Sequence, residues 1–262
     1  MHSRSTRSLS TWALVFWASM FCSCASNYFV EPIGVPHFTS AWQTTVQADV
    51  DAHRKLYFAA DMALPDNFLM RVIFSPWSSG LTNDQRFLSF GLGHFWLLQS
   101  SSPLGSSSLS VLTGLSEGAH KMVDAQGMTG DNFLEARMTG NSDFRKYFLT
   151  GSVSLPVAYA RIGNDTLIIR SGGATRLSYL DRYRFYESVR QWTTFNNYQN
   201  DTSVVITTGA QPIWILDFSP FFEIGYFHIS MLGELRFTYP FSIPDNRFFD
   251  YISSSLGLRY TF

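Results

Sequence analysis

Cysteine, charge and long apolar runs are all scarce in this sequence. The 262 residues contain only two cysteines, Cys22 and Cys24, and both precede residue 25. The folded body therefore has no disulfide and no thiol, which excludes cysteine nucleophiles and sulfur-ligated metals from it. Charged residues make up 15% of the chain, against about 25% in typical soluble domains. A surface with so little charge does not face water over its whole area.

The chain also lacks a transmembrane helix signal and a nucleic-acid signal. Beyond residue 25 no run of about 18 apolar residues occurs, and the net charge of -1 provides no field that would attract nucleic acid. Aromatic residues are abundant, at 16% of the sequence. A closed transmembrane β-barrel reconciles these facts, because its strands are apolar on one face only. We expect an all-β fold, an antiparallel up-and-down barrel in contact with outer-membrane lipid.

The N-terminus has the organisation of a secretion signal. Arg4 and Arg7 precede an apolar stretch over residues 12–21 that is too short to anchor the chain as a helix. We therefore expect residues 1–23 to be a signal peptide.

The end of this signal resembles the lipobox of bacterial lipoproteins. Phe21-Cys22-Ser23-Cys24 supplies an apolar residue and two small residues before the second cysteine. The resemblance implies lipidation at Cys24, after which residues 24–42 would form a periplasmic N-terminal segment. The alternative is ordinary cleavage near Ala25, with both cysteines discarded.

The C-terminus alternates with period two up to the last residue. Leu256, Leu258, Tyr260 and Phe262 share one face, and the residues between them are small or polar. This ending resembles the terminal strand of outer-membrane barrels, in which the final Phe and the aromatic two residues earlier are recognised by the barrel-assembly machinery. The resemblance assigns that signal to Leu258, Tyr260 and Phe262. Because the first alternating segment begins at residue 43, we expect residues 43–262 to form the barrel.

Ten segments show strand-like alternation, and their connections agree with that number. An even count places both chain ends on the periplasmic side, and the later external connections, above all 117–143 and 180–211, are longer than the internal ones. Eight strands remain an alternative, because Gly91, Gly93 and the serine-rich stretch 100–108 blur two segments. The predicted strands are 43–51, 55–63, 68–75, 86–99, 107–116, 144–155, 165–179, 212–224, 227–239 and 252–262.

The chain as a whole resembles small lipidated outer-membrane barrels of the Bacteroidota type. The likeness lies in Cys24, Tyr28, Pro32 and the element Val35-Pro36-His37-Phe38 ahead of the first strand, and it extends to Arg145-Lys146-Tyr147-Phe148-Leu149 and the C-terminus. The sequence departs from that pattern at Gly34 and His37, where Asn and Leu are common. The resemblance implies fold and location and leaves the activity open.

One motif allows a catalytic interpretation. His228, Ser230 and Glu234 share a strand face, and this spacing resembles the His-x-Ser of lipid A deacylase barrels. In those enzymes the motif faces lipid, whereas here Phe227, Ile229 and Met231 form the apolar face and leave His228 and Ser230 inside. We therefore expect no catalysis, no cofactor and no metal, and a lipid A-modifying enzyme is the third-ranked function.

Charged residues of both signs have inward parity, as a hydrogen-bonded ion-pair network in a filled lumen requires. A narrow channel for small solutes is the alternative. The aromatic and arginine content of 180–211 suits a protein or glycan partner at the external loops, whereas the carboxylates of 117–143 lack calcium-loop spacing. The expected function is structural or partner-binding, without catalysis. The predicted lumenal charges are Arg71, Arg170, Arg176, Asp217, Glu223, Glu234, Arg236 and Arg259.

Overall fold

Most of the residues that the computed structural model describes lie in β-strands. The structure describes residues 31–34, 37–51, 55–76, 83–98, 106–128, 134–163, 165–193, 199–207, 212–241, 249 and 251–262. The predicted signal peptide and Cys24 lie outside these residues. Among the described residues no helix is long and apolar enough to cross a membrane.

The described residues form eleven strands, and ten of these make the wall of the barrel. Their bounds are β1 Thr44–Asp51, β2 Leu56–Ala63, β3 Phe68–Ser75, β4 Asn83–Leu98, β5 Ser107–Met128, β6 Leu134–Ile162, β7 Asp165–Thr193, β8 Gln199–Thr207, β9 Ile213–Tyr226, β10 Ile229–Phe241 and β11 Ile252–Thr261.

All strand pairings are antiparallel, and the sheet closes on itself. β1 pairs with β2 on one side and with β11 on the other, while β7 pairs with both β6 and β9. Closure leaves no edge where the ten wall strands overlap, as a bilayer-spanning sheet requires. β8 is the exception, because it pairs only with the upper part of β7, from Arg184 to Trp192. The predicted ten-stranded up-and-down barrel is confirmed.

The two ends of the barrel differ in height. Short turns at Pro65–Asn67 and at Phe227-His228, together with the start of β1 and the end of β11, define the short-turn end. At the opposite end, here called the tall end, β6 and β7 continue as strands of 29 residues each. About 9–11 residues suffice to cross a bilayer, so this hairpin rises well beyond any membrane.

The tall end corrects two predicted loops. Residues 117–143 and 180–211 were expected to be connections, but most of them lie in β5, β6, β7 and β8. The alternation weakens in these two stretches because strands above a membrane meet water on the outside and no longer need an apolar face. At the short-turn end, residues 156–164, which separate the predicted strands 144–155 and 165–179, are also strand up to Ile162, with a register shift between Pro156 and Ala158.

The interior has three layers. An apolar cluster fills the tall end, a second one lies at the short-turn end beside β2 to β6, and charged side chains occupy the layer between them. The upper cluster comprises Tyr57, Ala59, Ile73, Phe87, Phe144, Leu180, Tyr183, Phe185, Ile213, Ile215 and Phe249. The lower cluster comprises Phe38, Ala63, Leu69, Phe95, Leu112 and Phe148.

Part of the N-terminal segment lies inside the barrel. Phe38 belongs to the lower cluster, with its ring 5.7 Å from that of Phe95, and Glu31 and Ile33 are fully buried. Residues 24–42 were expected to be a periplasmic segment, whereas the structure has residues 31–34 in the charged layer. Buried hydrogen bonds and ion pairs hold them there, and these contacts define the candidate site.

Candidate functional site: the filled barrel interior

Glu31 lies at the centre of the charged layer. Its carboxylate accepts a hydrogen bond from Lys146 Nζ at 2.7 Å and a second from the Arg176 guanidinium. Ser116 donates to the same carboxylate at 3.4 Å. The side chains of Glu31, Lys146 and Arg176 are at most 1% exposed, so the carboxylate and both cations are paired away from water, as buried charges must be.

The backbone that follows Pro32 is held by the wall as well. The N–H groups of Ile33 and Gly34 donate to the Glu234 carboxylate at 3.0–3.2 Å. The Ile33 carbonyl accepts from Arg71 Nη1 at 3.0 Å. Glu234 lies on β10 and Arg71 lies on β3, on either side of the neighbouring strands β1 and β11. Residues 31–34 therefore connect separate parts of the wall through the lumen. We call residues 31–34, with Phe38, the plug.

The pKa of Glu31 reflects these competing influences. Burial disfavours the carboxylate, yet the charges of Arg176 and Lys146 and the Lys146 hydrogen bond outweigh it and lower the pKa from 4.5 to about 2. Glu31 is therefore ionised at neutral pH, and its negative charge lies beside the two cationic side chains of the wall, Lys146 and Arg176.

Further wall contacts complete the charged layer. Arg236 pairs with Glu234 at 2.9 Å, and Arg71 Nε lies 3.3 Å from Asp61 Oδ1. Arg176 Nε donates to Thr150 Oγ1 at 3.0 Å while its guanidinium lies 4.7 Å above the Phe148 ring. The arginines therefore contact the plug, the wall carboxylates and the lower cluster at once.

A second network lies nearer the short-turn end. Arg259 donates to Gln47 Oε1 and pairs with Glu223 at 3.0 Å, and Ser230 donates to Glu223 at 2.6 Å. His37 approaches this network from the N-terminal segment, and burial together with the Arg170 charge lowers its pKa to about 4. The imidazole is therefore neutral at physiological pH.

All eight predicted lumenal charges face the interior. Seven of them are buried, and Arg170, near the short-turn end, is half-buried with its guanidinium donating to the Ser106 carbonyl at 3.2 Å. The seven are Arg71, Arg176, Asp217, Glu223, Glu234, Arg236 and Arg259.

Sequence reasoning missed the residue at the centre of the site. Glu31 is the only Asp, Glu, Lys or Arg between Arg7 and Asp49, and a lone charge in so apolar a stretch is a signal for a specific partner. Lys146 and Asp61 were also missed, although their inward parity follows from the neighbouring apolar residues.

The His228, Ser230 and Glu234 motif is not assembled into a catalytic group. His228 Nδ1 is 2.8 Å from the Thr261 carbonyl oxygen, Ser230 donates to Glu223, and Glu234 binds the plug backbone and Arg236. A nucleophile needs its base within hydrogen-bond reach, and each of these three groups has a different partner. Across the described residues, no three His, Cys, Asp or Glu side chains are grouped so that they could hold a metal ion.

The outside of the wall is apolar. Exposed side chains on the outward faces include Leu88, Phe90, Leu92, Leu149, Phe218, Phe237, Ile229 and Leu256. Trp96, Tyr159, Tyr226 and Tyr260 lie toward the short-turn end, and Trp214 and Tyr239 lie toward the tall end, as aromatic residues do at the two faces of a bilayer. We call this surface the lipid belt. Leu258, Tyr260 and Phe262, the predicted assembly signal, lie on it at 61%, 41% and 68% exposure.

A closed antiparallel wall with an apolar belt outside and a polar interior satisfies the requirements for crossing a bilayer with strands. The chain is a transmembrane β-barrel of the outer-membrane type. No protein-family model and no curated protein matches the sequence.

Solved structures similar to this barrel are themselves outer-membrane proteins. A loop-deletion mutant of OmpT, an outer membrane protein of Vibrio cholerae, is 10% identical over 84% of this chain and 98% of that one, with a TM-score of 0.21. The transport unit of the autotransporter AIDA-I from Escherichia coli is 7% identical over 97% and 98%, with a TM-score of 0.20. CarO of Acinetobacter baumannii is 9% identical over 83% and 97%, with a TM-score of 0.15. Matches at such scores carry no weight of their own, and the assignment rests on the wall, belt and interior described above.

Proposed function

We propose that the protein is an outer-membrane barrel that neither conducts solutes nor catalyses a reaction, and that it acts as a scaffold for the sheet at its tall end. The observation that carries this proposal is the pairing of Glu31 with Lys146 and Arg176 inside the barrel. A residue that precedes the first strand occupies the space that a solute would need.

Two further features favour a closed lumen. The upper cluster draws Tyr57, Phe87, Phe144, Phe185 and Ile215 from strands around the wall, so apolar side chains cover the charged layer. Below that layer Phe38 packs into the lower cluster. An ion crossing this interior would meet the apolar upper cluster, and transfer of a charge into such surroundings is strongly unfavourable.

Single-channel recording tests the proposal. The full chain, inserted into a planar bilayer, should give no stable unitary current, while its heat-modifiable migration on gels shows that it is folded. The charge-reversal variant Glu234→Arg with Arg236→Glu serves as the comparison. Unitary currents whose ion selectivity changes in this variant would establish a lumenal path and favour the narrow channel over the scaffold.

The absence of catalysis is supported by the separate partners of His228, Ser230 and Glu234. Its test is the lipid A profile of cells that express the protein: an unchanged profile is expected. Loss of an acyl chain, abolished by Ser230→Ala, would instead favour a lipid-modifying enzyme.

The proposed orientation has the short-turn end in the periplasm and the tall end outside the cell. It is supported by the usual pattern of short periplasmic turns and long external segments. In this orientation Leu258, Tyr260 and Phe262 act as the assembly signal, and lipidation at Cys24 would follow cleavage of residues 1–23. The external parts of β5 to β8 then form the surface available to a protein or glycan partner.

A further inference from the structure

A group of outward-facing charges begins where the lipid belt ends. In register across β4 to β7, Leu88 neighbours Glu117, Glu117 neighbours Arg145, and Arg145 neighbours Arg182. The next row toward the tall end runs from Arg86 through Ala119 and Asp143 to Arg184. We call these charges, with Asp181, the arginine patch: Arg86, Glu117, Asp143, Arg145, Asp181, Arg182 and Arg184.

The patch is confined to one side of the barrel. On β1, β2, β3, β9 and β10 the described outward positions near the tall end are apolar: Val50, Leu56, Phe74, Trp214 and Tyr239. Four arginines on β4, β6 and β7 are therefore a local feature of the described wall. A general change from lipid to water would place charges around the whole circumference.

Several guanidinium hydrogens of the arginine patch have no hydrogen-bond acceptor among the described residues. Asp181 accepts from Nε and Nη2 of Arg145, and this leaves both Nη1 hydrogens without an acceptor among the described residues. The guanidinium groups of Arg86 and Arg182 likewise have no acceptor among the described residues. A cavity of about 450 Å³ opens between these side chains, and Arg86, Glu117, Asp143, Arg145 and Arg182 line it.

Arg145 is also fixed in place. Its ion pair with Asp181 holds one edge of the guanidinium, and the guanidinium carbon lies 5.9 Å from the centre of the Tyr147 ring, which is an exposed residue of the lipid belt. The donors of Arg145 are thus held at the boundary between the apolar and the charged surface.

We propose that the arginine patch binds the phosphate of a phosphorylated glycolipid in the outer leaflet. Arginine donors in a planar fork suit phosphate oxygens, and a lipid is the ligand whose acyl chains the adjoining surface of Leu88, Leu115 and Tyr147 accepts. Glu117 and Asp143 at the rim of the cavity suit the sugar hydroxyls of the same headgroup. The role in cells depends on the proposed orientation, with the tall end outside.

Native mass spectrometry with defined lipids tests this site. The full chain is refolded in detergent and mixed with bisphosphorylated lipid A or with the fully dephosphorylated form. The test variant is Arg86→Gln with Arg182→Gln, which leaves the Arg145–Asp181 pair intact. The matched control is Arg161→Gln, because Arg161 is an exposed arginine of β6 at the opposite, short-turn end.

We expect retention of bisphosphorylated lipid A by the full chain and by Arg161→Gln, and roughly fivefold to tenfold weaker retention by the double variant, as the loss of charge-assisted hydrogen bonds requires. Equal retention of the dephosphorylated lipid, undiminished binding by the double variant, or an equal loss in Arg161→Gln would overturn the proposal. The assay uses folded protein in detergent, so its outcome is independent of channel silence and of orientation in the cell.

Discussion

Lys146 Nζ lies 2.7 Å from Glu31 Oε2, across 115 residues of sequence and with neither side chain exposed to solvent. This pair joins the middle of the barrel wall to a segment that precedes the first strand. The N-terminal segment is consequently part of the interior, and the stability of the barrel should depend on it.

Replacement of Glu31 by Gln should destabilise the barrel strongly. The substitution keeps the shape of the side chain but leaves Lys146 and Arg176 without their shared carboxylate, and removal of one member of a buried ion pair typically costs about 3–5 kcal/mol. Urea unfolding of the refolded protein measures the loss. Thr39→Ala, at an exposed position of the same segment, is the control and should change stability by less than about 0.5 kcal/mol. Equal stability of Glu31→Gln and the parent chain would show that Glu31 is not paired with Lys146 and Arg176 inside the barrel.

The contribution of Glu31 should be lost only in strong acid. Its pKa is lowered from 4.5 to about 2, so the folded state binds this proton less readily than the unfolded chain does. The stabilisation is therefore complete above about pH 5 and disappears as the pH falls from 4.5 towards 2. The measurement is the stability difference between the parent chain and Glu31→Gln as a function of pH. A difference that already vanishes near pH 6 would be inconsistent with a buried, paired carboxylate.

A methyl group at Gly114 should disturb the lower cluster. A Cβ there would lie 2.6 Å from Phe148 Cζ and would also clash with the Phe90 carbonyl oxygen, so Phe148 cannot keep its place over the neighbouring strand. We expect Gly114→Ala to cost about 1–3 kcal/mol in urea unfolding. Gly151→Ala is the matched control, because a Cβ at Gly151 would meet no atom within 4 Å. Similar effects of the two substitutions would mean that the tight packing over Gly114 is absent.

The mature N-terminus should be an acylated cysteine. If Cys24 is the lipidated residue, intact-mass and peptide analysis of protein purified from membranes should identify Cys24 as the first residue with its acyl chains, and Cys24→Ser should remove the modification. An unmodified N-terminus at or near Ala25 would instead indicate ordinary signal cleavage.

The sequence predicts the wall well because the wall follows one rule. Side chains alternate between lipid and lumen, so the outward residues Phe218 and Ile229 reveal the inward positions of their neighbours Asp217 and Ser230. The ending at Leu258, Tyr260 and Phe262 then fixes the register of the last strand. The same rule fails above the membrane, where β6 and β7 extend beyond their predicted ends because water on the outside removes the demand for alternation.

The plug could not be predicted by that rule. Residues 31–34 form no strand, so their contacts with Glu234 and Arg71 depend on the three-dimensional closure of the barrel and not on periodicity. Only the isolation of Glu31 in an otherwise uncharged stretch pointed to a buried role. The arginine patch was missed for a related reason: its members are far apart in sequence, and the register between β4 and β7 brings them together.

The most direct test of the filled interior is the accessibility of the plug. Ile33→Cys and Trp42→Cys are each introduced into the full chain with Cys22 and Cys24 replaced by Ser, refolded in detergent and exposed to a hydrophilic maleimide. Ile33 is 0% exposed and Trp42 is 67% exposed, so the cysteine at position 42 should label rapidly while the cysteine at position 33 stays protected until urea unfolds the barrel. Equally rapid labelling at both positions in the folded protein would contradict a plug inside the lumen.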